Sequence, residues 1–206
     1  MTDTNSLFAL LERGVVALES MAVSEDTIAD TMVGAAVIEL PLGSFTLLDG
    51  TPLAKFADGA SATPGLDNTD SENLTIRWNN HATPTAVARQ VGLPADLDVN
   101  YDMFFKAVVF KVGATIGDAT VLTLGYLNVA LGGLENADSD AGGDTGAVTG
   151  DLTSKTTQLL SRTIAHADIA TPPANAFISV KPKAGLLGTD DFCISRMYIA
   201  YTRRAT

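Results

Sequence analysis

From Phe192 to Arg204 the chain alternates between two sets of positions. Phe192, Ile194, Arg196, Tyr198, Ala200 and Thr202 fall on one parity, and Cys193, Ser195, Met197, Ile199, Tyr201 and Arg203 on the other. Successive side chains of a strand point to opposite faces, so this β-branched and aromatic run predicts a long strand, apolar on parts of both faces. Such a strand is expected inside a sheet, because an unpaired one frays and exposes an adhesive edge.

Shorter runs upstream share this character. Val37 to Leu40 stops at Pro41, and Ser44 to Leu48 stops at the Asp49–Gly50 turn signal. Residues 57–72 read as a long surface loop. Asn73 to Asn79 alternates, which predicts Leu74, Ile76 and Trp78 inward. Further strands are predicted over Ala86 to Val91, Met103 to Val112, Thr120 to Ala130, Ser154 to Ile164 and Phe177 to Val180, with a Gly- and Asp-rich loop over 132–151. About eight strands punctuated by turns is the density of a sandwich or jelly roll, and no repeat of about 20–50 residues suggests a propeller or solenoid.

The N-terminal part reads differently. Ser6 is a suitable N-cap for a helix over about residues 6–21. Leu7, Leu11, Val15 and Leu18 recur at helical spacing, and Phe8 and Leu10 widen the stripe. Gly14 weakens that helix by about 1 kcal/mol relative to Ala. Residues 22–35 are small and acidic and read as a linker. The predicted organisation is an arm and linker over 1–35 and a β-sandwich domain over 36–206. In class it is all-β: a single jelly-roll-like antiparallel β-sandwich with an N-terminal helical arm.

Composition narrows the function. The apolar fraction of 46% supports a sizeable core. The net charge of −11, with 13 scattered Lys and Arg, argues against nucleic acid and anionic membrane surfaces as partners. Cys193 is the single cysteine, so neither an intrachain disulfide nor a thiolate metal site is expected. The leading residues lack a basic n-region, and no run of about 18 apolar residues occurs. The chain is expected to remain in a cytoplasm or to be assembled there into a particle.

Candidate chemistry is sparse. Asp138, Ser139, Asp140 and Asp144 resemble the start of a calcium loop, but Gly142 and Thr149 stand where the fifth and twelfth ligands belong. His166, Asp168 and Ser161 offer triad residue types without a nucleophile elbow, and His81 lies in a loop-type stretch. Trp78, Tyr126 and Tyr198 are candidate sugar-stacking aromatics, although alternation places Trp78 in the core. No catalytic residue, metal or cofactor is assigned, and the chain is expected not to be an enzyme.

The run from Glu39 to Phe45, the turn from Asp49 to Leu53, the strand from Leu74 to Trp78, Val91 to Pro94, and the closing Ile194 to Thr202 together resemble the small jelly-roll virion proteins of tailed bacteriophages, the head decoration or cement proteins among them. The resemblance covers about residues 36–204 and implies a non-enzymatic structural protein on the capsid surface of the virion. Its implied partners are the major capsid protein and copies of itself, with a homotrimer expected. The expected interaction face is the stripe of Leu7, Phe8, Leu11, Val15 and Leu18. The alternative is a phage tail or fibre module that contacts a host glycan or a partner protein.

Overall fold

The structure, a computed structural model, describes residues 34–57, 59, 61–68, 74–79, 81–113, 121–130, 143–145, 156–169, 171, 173–183 and 190–204. The strands are β1 (Ala35–Glu39), β2 (Thr46–Leu47), β3 (Gly65–Asp67), β4 (Thr75–Trp78), β5 (Val87–Gly92), β6 (Met103–Val112), β7 (Leu122–Ala130), β8 (Gly143–Asp144), β9 (Gln158–Ile164), β10 (Pro173–Pro182) and β11 (Asp191–Thr202). Single 3-10 turns occupy Leu42–Ser44 and His166–Asp168.

The strands form two antiparallel sheets. The first, here sheet A, runs β3-β4-β11-β6-β9, with β1 also paired to β11. The second, sheet B, runs β2-β5-β10-β7-β8. β11 is the hub of sheet A. Along one side it pairs with β6 from Asp191 to Ala200. Along the other it pairs first with β4, through Phe192 to Ile194, and then with β1, through Tyr198 to Thr202. Backbone bonds from Asp98 to Thr202, Arg204 to Asp96 and Arg203 to Gly34 secure the far end.

The predicted terminal strand is present, and a register shift between Ile194 and Arg196 explains its mixed faces. Phe192 and Ile194 point into the sandwich before the bulge, and Met197, Ile199 and Tyr201 after it. The extra residue turns Arg196 outward, which avoids the cost of burying its charge. The core lies between the sheets. Ile76, Trp78, Phe105, Val109, Phe192 and Ile199 from sheet A meet Val87, Leu122, Leu124, Ile178 and Val180 from sheet B, all buried.

Several sequence expectations are corrected. Leu74 is exposed because β4 begins one residue later; Ile76 and Trp78 do point inward. The stretch read as a loop over 57–72 contains β3, held by Leu66 N–H donating to Ala54 O and Phe56 N–H donating to Leu66 O, both at 2.8 Å. The predicted strand over Ser44–Leu48 is a 3-10 turn followed by the two-residue β2. The short strand at Phe177–Val180 extends from Pro173 to Pro182, and within the Gly- and Asp-rich loop Gly143–Asp144 pair with β7.

Candidate functional site

The described ionisable side chains serve chiefly to join strands and loops. On the outward face of sheet A, the Arg77 guanidinium on β4 donates to Asp67 Oδ2 at 2.8 Å and to Asp191 Oδ2 at 3.0 and 2.8 Å. It also lies 4.4 Å from the centre of the Phe56 ring. Burial acts to lower the Arg77 pKa, but the hydrogen bonds from Asp191 and Asp67 overcome it and hold the guanidinium charged. Gly65 makes the arrangement possible: a Cβ there would sit 2.5 Å from Phe56 Cα, so the 54–56 segment can close over Arg77 only beside glycine.

Nearer the other end of β11, Arg196 pairs with Glu39 on β1 and stacks over Tyr198. Asp96 receives the Tyr201 hydroxyl at 3.2 Å and faces Arg203 Nε at 3.4 Å. These contacts tie β1 and the 96–98 connection to the hub strand.

The triad residue types do not converge. His166 donates its backbone N–H to Asp102 Oδ1 at 2.8 Å, with its ring Nδ1 3.0 Å from the same oxygen, on the exposed approach to β6. That backbone bond, followed by the ring contact, holds the Asp102 carboxyl below its usual pKa. Ser161 faces outward on β9 opposite Lys106, and His81 Nδ1 accepts from the Thr83 N–H at 3.1 Å. Of the calcium-like loop, Asp138–Gly142 and residues 146–151 lie outside the described residues. Thr145, in contrast, is buried, and its hydroxyl accepts from Leu122 N–H at 3.1 Å. Among the described residues, no group of three or more acidic, His or Cys side chains is placed to hold a metal.

The candidate sugar platform is dispersed. Trp78 is fully buried, packs 6.4 Å from the Phe192 ring and donates its indole N–H to Thr85 O at 2.8 Å. Tyr126 is buried in the core, and Tyr198 lies beneath Arg196. Among the described residues the exposed aromatics are instead Tyr101 and Phe177. Phe177 is flanked across the outward face of sheet B by Gln90 and Leu127, with Asn175 and Ser179 next along β10. Period-two alternation through Phe177, Ile178, Ser179 and Val180 carries the signal that turns this ring outward.

Outward positions of sheet A mix apolar and charged side chains. One row across β1, β11, β6 and β9 reads Val37, Ala200, Phe104 and Thr163, and a second reads Glu39, Tyr198, Lys106 and Ser161. A third brings Arg196, Val108 and Leu159 together. Val37 and Leu159 are 52% and 50% exposed. The arm positions Leu7, Phe8, Leu11, Val15 and Leu18 lie outside the described residues.

These features define a jelly-roll-like antiparallel β-sandwich whose charges brace its strands. No described protein family matches the sequence, and no curated protein sequence is similar to it. Among solved structures, a xylan-binding module, CBM15, superposes with a TM-score of 0.50 at 15% identity, over 84% of this chain and 100% of that one. The CBM22-1 xylan-binding domain of Paenibacillus barcinonensis Xyn10C gives a TM-score of 0.45 at 8% identity, over 85% and 100%. The enzymatically active domain of tailspike protein 4 from bacteriophage CBA120 gives 0.36 at 9% identity, over 77% of this chain and 19% of that one. The first of these similarities supports the sandwich fold.

Proposed function

We propose that this chain is a non-enzymatic virion structural protein that decorates a bacteriophage capsid through protein–protein contacts, with the major capsid protein and further copies of itself as partners. The observation that carries the reading is how the charged groups are used. Arg77, Arg196, Arg203 and His166 each join one strand or connection to another, which suits a rigid contact body. The acidic net charge of −11 supports solubility at high copy number, and the sequence resemblance supplies the capsid. The test is binding of the purified full-length chain to capsids of its phage that lack it. Saturable binding at a fixed copy number per capsid is expected; no binding, with the chain absent from purified virions, refutes the proposal.

A second reading is favoured by Phe177. An exposed ring flanked by Gln90 and Asn175 offers a stacking face beside amide donors and acceptors, a combination suited to sugars. The sandwich likeness to a xylan-binding module agrees with it. This reading predicts hits on a glycan array that disappear in Phe177→Ala; an array with no hits removes it.

A further inference from the structure

The outward faces of the two sheets use their polar groups differently. On sheet A, Arg77 and Arg196 are committed to Asp67, Asp191 and Glu39. On sheet B, the parity of β10 opposite to the buried Ala176, Ile178 and Val180 presents Asn175, Phe177, Ser179 and Lys181. Asn175, Phe177 and Lys181 are exposed, and Ser179 is half-buried. Among the described residues, the side chains of Gln90, Asn175, Ser179 and Lys181 make no hydrogen bond or ion pair. Their donors and acceptors remain available to a ligand.

Phe177 and Lys181 are four residues apart, about 14 Å along an extended strand. The surface between them is low. Ser179 lies opposite Gly125 on β7, where a Cβ would come 2.4 Å from the Ser179 Oγ. Glycine inside a strand leaves room for such a close approach. On the other side of Ser179, Ala88 on β5 is buried, so the open surface runs along β10 and towards β7. One end of the row offers an aromatic face beside two amides, and the other offers an ammonium with three donors.

Charge decides which ligand suits the row. Its cross-strand neighbours Gln90, Leu127, Gly125 and Thr123 are uncharged. The acidic position Asp144 lies two strands away from Lys181 in the ladder, about 10 Å. The net charge of −11 repels an anionic ligand from afar, but that field is screened beyond about 10 Å at 0.1 M salt, so the contact with Lys181 prevails. We infer that the row from Phe177 to Lys181 takes an acidic glycan, one bearing uronate carboxylates. A sugar ring lies on Phe177, and a carboxylate further along the glycan accepts from the Lys181 ammonium. The inference rests on the glycan reading of Phe177 and adds the charge class of the ligand.

The experiment is calorimetric titration of the full-length chain with linear hexasaccharides of galacturonate, of mannuronate and of hyaluronan, each beside its carboxyl-reduced counterpart. At least one acidic form is expected to bind about two- to fivefold more tightly than its reduced form, the range of an exposed ion pair. Lys181→Met should abolish that preference, and Phe177→Ala should weaken both forms about fivefold or more. Both positions are exposed, so the sandwich is expected to keep its circular dichroism. Should Lys181→Met unfold, Lys181→Gln makes the same comparison. Equal affinity for the two forms of every pair, or a preference that survives the loss of Lys181, overturns the inference and leaves the Phe177 reading standing. No binding of any glycan, acidic or reduced, or binding unchanged in Phe177→Ala, overturns both.

Discussion

Replacing Arg77 by Met removes the cation shared by β3, β4 and β11. The side chains of Arg77, Asp67 and Asp191 are 10%, 4% and 15% exposed, so the cluster is largely shielded from water. Methionine retains much of the aliphatic volume, and the change therefore isolates the charge and its hydrogen bonds. Removing one partner of a buried pair costs about 3–5 kcal/mol, because the remaining charge is left buried and uncompensated. Asp191 keeps some solvent contact, which places the expected loss near the lower end, about 3 kcal/mol. The single Trp78, fully buried and adjacent to Arg77, reports unfolding in urea. With a slope of about 2–3 kcal/mol/M, the midpoint should fall by about 1–1.5 M. Adding Asp67→Asn should recover part of the loss. A loss below about 1 kcal/mol would mean that Arg77 behaves as a solvated surface ion, and would refute the argument.

Three further outcomes are expected. Gly65→Ala places a Cβ 2.5 Å from Phe56 Cα and should displace the 54–56 segment, with a loss of about 1–3 kcal/mol by urea denaturation. Tyr126→Phe should leave stability unchanged or raise it by about 1 kcal/mol in the same assay. Its hydroxyl is buried with no hydrogen-bond partner among the described residues, and burial first, then the Asp168 charge, pushes its pKa up. Asp102→Asn should flatten the acid limb of the thermal stability profile. The lowered Asp102 pKa contributes stability that is present above the unfolded value, about 3.9, and is lost as pH falls through the folded value. The effect is small because the carboxylate is 40% exposed.

What was legible in the sequence was whatever alternation could show. The strong strands β6, β7 and β11 stood out because β-branched and aromatic residues fill them, and Trp78 was placed in the core by its spacing from Ile76. The bulge at Ser195 left only a trace, a strand apolar on parts of both faces, because the energetic reason for the flip lies at Arg196 rather than at the inserted residue. β2, β3 and β8 are two or three residues long, too short for any period to register. The prolines of β10 mask its full length in the sequence pattern. Pro173 opens the strand and Pro182 closes it, positions where a missing N–H is tolerated. The Arg77 cluster was hidden for a different reason: Asp191 lies 114 residues away, and Asp67 lies in a stretch that reads as loop. Phe177 is outward by parity alone, whereas Trp78 and Tyr126 are buried and Tyr198 lies beneath Arg196.

The position of β11 couples the two regions on which the functional argument rests. Among the described residues β1 has its ladder with β11, through Ala35–Thr202 to Glu39–Tyr198. β4, which carries Arg77, meets the same strand through Ile194 to Phe192. Both pairings bring together residues far apart in sequence, so their loop-closure entropy is offset only when β11 joins the sheet. The outward face of sheet A spans β1, β11, β6 and β9 and is therefore incomplete until β11 is in place. Disrupting the middle of β11, for example by Met197→Asp on its core side, should therefore expose β1 and β4 together, as simultaneous loss of exchange protection at Ala36–Glu39 and Ile76–Trp78. Loss of protection at one strand while the other stays protected would show that β1 and β4 are held independently of β11.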